Sequence, residues 1–137
     1  MNRADFRRLA DTRIRDATAL MQGRRYSGAY YLAGYAVECG LKACIAKRTR
    51  RHEFPDRDRA NKSYSHGLEQ LLRVAGLETQ RDADATTDAI FGSNWAVGKD
   101  WSEQSRYETR SRREAADLLD AITDSAHGVM QWLHRHW

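Results

Sequence analysis

The sequence predicts an all-α fold, an up-and-down bundle of four to five helices forming a single domain over residues 1–137. Apolar residues recur at helical spacing over long stretches, as at Phe6, Leu9, Ala10, Ile14, Ala17 and Met21. No stretch shows the two-residue alternation of a half-buried strand. The chain is 41% hydrophobic over 137 residues and carries one proline, enough apolar content for one helical core. It contains no internal repeat and no low-complexity segment.

The first helix is expected over Arg3–Gln22, with charges opposite its apolar stripe and Gly23 placed as a C-terminal cap. The second starts at Tyr26 with YSGAYYLAGYAVECGLKACIAK and runs to about Arg51. It is apolar almost all round, which predicts burial at the centre of the fold. Its small residues Ala29, Ala33, Ala36, Gly40 and Ala43 let a neighbouring helix approach closely, in the bundle core or at a dimer interface. Residues 52–64 read as a loop containing Pro55. Ser65 is placed as the N-cap of a short third helix in SHGLEQLLRVAG, with Leu68, Leu71 and Leu72 inward and Gly76 closing it. A fourth helix is expected from Arg81 to Val97, anchored by Ile90, Phe91 and Trp95. KDWSEQSRYETRS reads as an irregular link. The last helix is expected over Arg112–Trp137, burying Ala115, Leu118, Leu119, Ile122, Ala126, Val129, Met130 and Leu133.

Inside the second helix, steps of four, three and four put Tyr31, Tyr35, Glu38 and Lys42 in one narrow stripe. Burying a carboxylate and an ammonium costs several kcal/mol per ion unless they are paired and hydrogen-bonded, so this stripe must face a partner helix or a cleft. The same charges argue against a membrane span, because each would cost roughly 2.5 kcal/mol or more near the bilayer centre. Gly28, Gly34 and Gly40 also interrupt the hydrophobic run. The charged start MNRADFRRLADTR has no apolar core of a signal peptide, which predicts a cytoplasmic location. Cys39 and Cys44, five apart on one helix, point to different faces and are expected to be buried and reduced. The chain has no CxxC, no glycine-rich phosphate loop and no Ser/His/Asp set, so no metal and no cofactor is expected.

The net charge is +4, and its location matters more than its size. Residues 47–62 hold seven Lys/Arg and three Asp/Glu, leaving sixteen of each sign elsewhere. Arg48, Arg50, Arg51 and Arg59 therefore read as a phosphate-contacting arm. A solvated loop, with Lys47 and the neighbouring arginines favourably placed at a helix C-terminus, accounts for the same charges. The 19 arginines against 4 lysines fit phosphate recognition and fit genome composition equally.

Four further residues carry the site reading, each with an alternative. Glu38 and Lys42 form either a helix-specifying ion pair or part of a polar cluster with His66 and Arg106. His66 either packs on Tyr64 in the first turn of a helix, or bonds Glu38 or a phosphate. Arg106 either stacks on the indole of Trp95 or Trp101, or binds phosphate, with the ring of Tyr107 available to a base. His134 and His136 diverge on a helix and do not suggest a metal site.

GAYYLAGYAVECGLKACIA, then SHGLEQLL, then WSEQSRYET, set between long first and last helices, resemble a HEPN domain (higher eukaryotes and prokaryotes nucleotide-binding). The resemblance runs from about Asp5 to Leu133. Its most specific piece is Tyr35-Ala36-Val37-Glu38-Cys39-Gly40-Leu41-Lys42-Ala43, supported by Ser65, His66 and Leu68 and by Arg106-Tyr107. It implies a four- or five-helix bundle that dimerises, RNA or a nucleotide as ligand, and a role in a toxin–antitoxin or defence system with a nucleotidyltransferase antitoxin as partner. Many members are metal-independent endoribonucleases, with an arginine, four to six residues, and a histidine near the last helix. In this chain Arg106, Arg110, Arg112 and Arg113 stand there without a histidine before His127. The arginine-to-histidine spacing occurs only at Arg59 and His66. The expected catalytic pair is Arg106 and His66, with Glu38, Lys42, Tyr35 and Tyr107 as ligand-binding residues.

Overall fold

The computed structural model describes residues 1–49 and 57–137. Among them the chain forms eight α-helices, one 3-10 helix and no strand. The helices are α1 (Arg3–Gln22), α2 (Tyr26–Arg48), α3 (Arg57–Lys62), α4 (Leu68–Val74), α5 (Glu78–Thr87), α6 (Ala89–Lys99), α7 (Arg112–Thr123) and α8 (Val129–His134), with the 3-10 helix at Glu103–Tyr107 between α6 and α7. The all-helical class is as expected, while the helix count is higher because two predicted helices break and part of the basic segment is helical as α3. No helix among the described residues is long and apolar enough to cross a membrane.

α1 starts with a reciprocal capping box: Asn2 accepts from the Asp5 amide at 2.9 Å and Asp5 accepts from the Asn2 amide at 3.0 Å. Gly23 ends the helix, but the left-handed residue is the next one, Arg24, at φ 59°. Its amide donates to Met21 and that of Arg25 to Leu20, turning the chain directly into α2.

α2 is the hub. It packs against α1, α4, the 3-10 helix, α7 and α8. Ala29, Ala33, Ala36 and Ala43 are fully buried, with Ala10 and Ala17 of α1 equally so. The small-residue surface is thus consumed inside the bundle rather than offered to a second copy. Short side chains permit the close α1–α2 approach, and larger residues of the outer helices close around it. Cys39 and Cys44 are free thiols in this core. Burial pushes them up to about 11 and about 12, so they stay protonated and inert at neutral pH.

The expected helix over Arg81–Val97 is two helices, broken at Asp88. The Asp88 side chain accepts from the Phe91 amide at 3.0 Å and so starts α6 as its N-cap, which stops α5 one residue earlier. Phe91 and Trp95 are buried as expected, but Ile90 is 53% exposed. The last helix also breaks. Asp124 accepts from the amides of Ala126 and His127 at 3.0 and 2.7 Å, drawing them away from helical carbonyls. Gly128 then passes so close to its own chain that a Cβ would meet the Asp124 carbonyl at 2.4 Å. Ala126, expected in the core, is exposed on this turn. The reversal lets α8 fold back, and Trp132 stacks on Phe91 at 5.2 Å while donating to Asp84 at 2.8 Å.

Asp88 joins the two breaks. Besides capping α6 it meets His127 Nδ1 at 2.7 Å, and the His127 carbonyl accepts from Asn94 at 3.0 Å. The hydrogen bond to Asp88 holds His127 above its ordinary 6.5, and His127 holds Asp88 below its ordinary 3.8. The stability from His127 is therefore complete below pH 6.5 and fades as pH rises through the raised folded value. That from Asp88 is complete above pH 3.8 and fades on acidification. Thermal melts should show the wild type losing more stability than His127→Gln between about pH 6 and 8.5. The difference between the two is the readout, because burial lowers His136 and makes it titrate in the opposite sense. Parallel profiles would rule out the clasp.

Candidate functional site

Glu38 is 2% exposed, on the face of α2 towards α4 and the 3-10 helix. Its Oε1 accepts from Lys42 Nζ at 2.8 Å, one turn on, and meets His66 Nδ1 at 2.9 Å. Its Oε2 is buried with no hydrogen-bond partner among the described residues. The ion pair and the contact with His66 coexist in three dimensions, but the expected cluster lacks Arg106.

His66 reaches Glu38 because it lies outside the helix. Leu68, Leu71 and Leu72 are buried and seat α4 on α2, which lays residues 65–67 over Glu38. The N-cap of α4 is Gly67, not Ser65 as expected; the Ser65 hydroxyl instead accepts from the Gly67 amide at 3.1 Å. Tyr64, expected beneath the His66 ring, is 80% exposed. A carboxylate can only accept, so Nδ1 carries the hydrogen in this contact and Nε2 is the nitrogen left for other partners. The His66 side chain is 48% exposed.

The 3-10 helix closes the other side. Its position is fixed by Trp101, 2% exposed, whose indole lies flat on α2 at Gly34. A Cβ there would meet the ring at 2.2 Å. Trp101 stacks on Tyr31 at 5.9 Å, and Tyr31 on Tyr35 at 6.1 Å. Ser102 caps the 3-10 helix, accepting from the Gln104 amide at 3.2 Å. Glu103 then comes within 3.8 Å of His66 Nδ1. Residues three apart eclipse one another in a 3-10 helix, so Arg106 shares the face of Glu103, about 6 Å along the axis.

Arg106 does not join the hydrogen-bonded set of Glu38, Lys42 and His66. It is exposed, and its guanidinium lies 5.0 Å from the ring centre of its neighbour Tyr107. Trp95 and Trp101, the indoles expected beneath it, are engaged elsewhere: Trp95 donates to Glu69 at 2.7 Å and Trp101 lies on Gly34. Tyr35 is half-buried in the aromatic row; burial first, then the neighbouring Cys39, pushes its phenol up to about 12, so it does not exchange a proton at neutral pH.

The expected phosphate arm divides. Arg48 is exposed and its guanidinium rests on Gly76, which has φ 72° and no side chain to obstruct it. Arg59 donates to the Ile45 carbonyl at 3.4 Å, capping the end of α2. Arg59 also lines an open cleft of about 430 Å³ between α3 and α4, with Lys62, Gln70 and Arg73. Arg50 and Arg51 lie outside the described residues, as does Pro55. Among the described residues no group of three or more His, Cys, Asp or Glu is placed to hold a metal ion.

Sequence reasoning missed Glu103, and it missed the seating of Trp101 on Gly34. The signal for Glu103 was its place three residues before Arg106. Gly34 had only its position one turn before Glu38. In comparisons with protein-family models, curated proteins and solved structures, none matches this chain.

Two stability measurements probe this construction. Lys42→Met should destabilise the fold by about 3–5 kcal/mol in urea titrations, while the double change Glu38→Leu with Lys42→Met should recover most of the loss. A single change costing under about 1 kcal/mol would show that the pair is not desolvated. Gly34→Ala should cost about 1–3 kcal/mol or more by forcing Trp101 off the helix. Its intrinsic tryptophan emission should shift to the red as the indole meets water; an unshifted spectrum would contradict the seating.

Proposed function

We propose that this chain is a HEPN-like helical bundle that binds RNA or a nucleotide at the surface between residues 64–67 and the 3-10 helix. One observation carries the reading: the hydrogen bond at 2.9 Å from His66 Nδ1 to the buried Glu38. A carboxylate sealed from water fixes a half-exposed imidazole, and does so beside a short helix that carries an exposed arginine. A buried acid orienting a surface histidine is costly as mere packing and useful as a way of aiming Nε2 at a ligand. Arg106, on the same face as Glu103, supplies the cation for a phosphate. The motif resemblance supports the same reading, and with it a role in a prokaryotic toxin–antitoxin or defence system, a nucleotidyltransferase as partner, and a homodimer as the working form.

A second reading, metal-independent endoribonuclease, is favoured by the same dyad. The ribose 2′-oxygen would attack phosphorus as His66 Nε2 takes its proton. The P–O5′ bond breaks, leaving a 2′,3′-cyclic phosphate, and the departing 5′-oxygen takes a proton from water. Arg106 would meet the charge that develops on the phosphoryl oxygens.

Fluorescence anisotropy of labelled RNA across a salt series tests the binding reading. Retention should weaken steeply with salt, and Arg106→Ala should lower the slope by about 0.7 for a single strand. An absence of retention at low salt would overturn it. Incubation of the same RNA with chelator separates the two readings: cleavage lost in His66→Ala establishes the nuclease, and intact RNA leaves binding alone.

A further inference from the structure

The outer face of α6 carries no charge. The helix has 11 residues, and none is charged before Lys99, its last. Its exposed residues up to that point are Ala89, Ile90, Ser93, Ala96 and Val97. The exposed faces of α1, α5 and α7, by contrast, carry Arg8 and Asp11, Asp82, and Asp117 and Asp120. Ile90 is 53% and Val97 45% exposed; Met1 aside, no other large aliphatic side chain among the described residues is exposed. Seven residues separate the two, so they share one side of the helix. The opposite side is held firmly. Phe91, Trp95 and Gly98 are buried, Phe91 stacks on Trp132 at 5.2 Å, and Trp95 donates to Glu69 at 2.7 Å. Ile90, expected as a core anchor, is thereby fixed in water, and no rotation of α6 can bury it without exposing an indole.

A helix that is apolar on both sides is normally covered on both. A charged partner would give up hydration against this face and meet no counter-charge in return. A second copy brings only the same uncharged side chains. The face also fits itself. Ala89, Ser93 and Val97 form a row of residues four apart, the kind of row that interleaves in the commonest helix crossing, at about −50°. When two copies of α6 cross antiparallel at Ser93, Val97 of each lies over Ala89 of the other, a larger side chain against a smaller. The short side chain of Ser93 lets the helices approach at the centre. Such spacing about one point suits a two-fold contact, in which a surface must be its own complement. The small residues of α2, the other candidates for a dimer contact, are buried inside the bundle. We infer that the exposed face of α6 docks a second copy of this chain, as an antiparallel pair about a two-fold axis at Ser93. This supplies a face for the homodimer of the reading above, and it stands whether or not the chain binds RNA. α6 is about 16 Å long. Two such helices alone bury less than the roughly 800 Å² per partner of a standard interface, so the dimer is reversible and depends on concentration.

The test is sedimentation velocity of the intact chain from low-micromolar to submillimolar concentration. The wild type should pass from one chain to two. Ile90→Lys and Val97→Lys should each weaken the association by at least about 10-fold, because the symmetry sets each new charge twice in the contact. Both positions are exposed, so melting temperatures of the dilute protein should not move. Ser93→Cys disturbs the surface least and reads the geometry directly. A short bis-maleimide should join it to its own copy, whereas Asp117→Cys on α7 should stay unlinked. Cys39 and Cys44 are buried and do not compete for the reagent. A wild type that is monomeric throughout would overturn the inference and the homodimer together, while leaving RNA binding untouched. A dimer that both lysine variants leave intact, or linking at Asp117→Cys and not at Ser93→Cys, would overturn the assigned face and place the homodimer contact elsewhere.

Discussion

A carboxylate placed inside the central helix of a small bundle organises much of what surrounds it. Glu38 is 2% exposed, and a charge so removed from water must be met by donors from within the protein. Lys42 comes from the same helix, one turn on. His66 comes from a different part of the chain and arrives only because three leucines of α4 anchor that part to α2. The pairing thus couples the register of α2 to the docking of α4. Glu38 Oε2 remains without a hydrogen-bond partner among the described residues.

The remaining architecture follows from the smallness of α2. Alanine and glycine on most of its surface bring the neighbouring backbones close, and bulk must then come from outside. It comes as tryptophan. Trp101 lies on Gly34, and Trp132 fills the space against Phe91 and tilts against Trp95 at 6.3 Å. Burying an indole strands its N–H unless an acceptor is supplied. Asp84 serves Trp132 and Glu69 serves Trp95. Burial drives the Glu69 carboxyl up, but the bonds from Trp95 and Arg81 outweigh that and hold it below the ordinary glutamate value. Arg81 also lies over Trp95 at 5.4 Å, so one cation, one acid and one indole tie α4, α5 and α6 together.

The surface built on this frame has a fixed inner layer and an exposed outer one. Glu38, Lys42 and Trp101 are set by packing, and Tyr35 contributes to the aromatic row beneath. His66 and Glu103 form the boundary. Arg106, Tyr107 and Tyr64 are exposed.

Much of the frame was legible in the residues. The helical class, the burial of α2, the inward leucines of α4, the buried thiols and the pairing of Glu38 with Lys42 followed from spacing and from the cost of burying charge, whereas His66 entered through the motif resemblance. Those arguments are local or depend on one helix face, where geometry is set by 3.6 residues per turn. The helix breaks at Asp88 and at Asp124 were not legible, since a short polar side chain that captures nearby amides looks, in a periodic pattern, like an ordinary exposed helical position. The placement of Arg106 on Tyr107, the exposure of Tyr64 and the approach of Glu103 to His66 were also invisible. Each depends on where a separate element comes to rest, and that is decided by an indole settling on Gly34 and by leucines closing on α2. The sequence by itself determined that a charge would be buried and that helices would surround it. Only the tertiary structure decided which residues meet that charge and which rings are left in water, because such contacts are chosen by packing between distant parts of the chain.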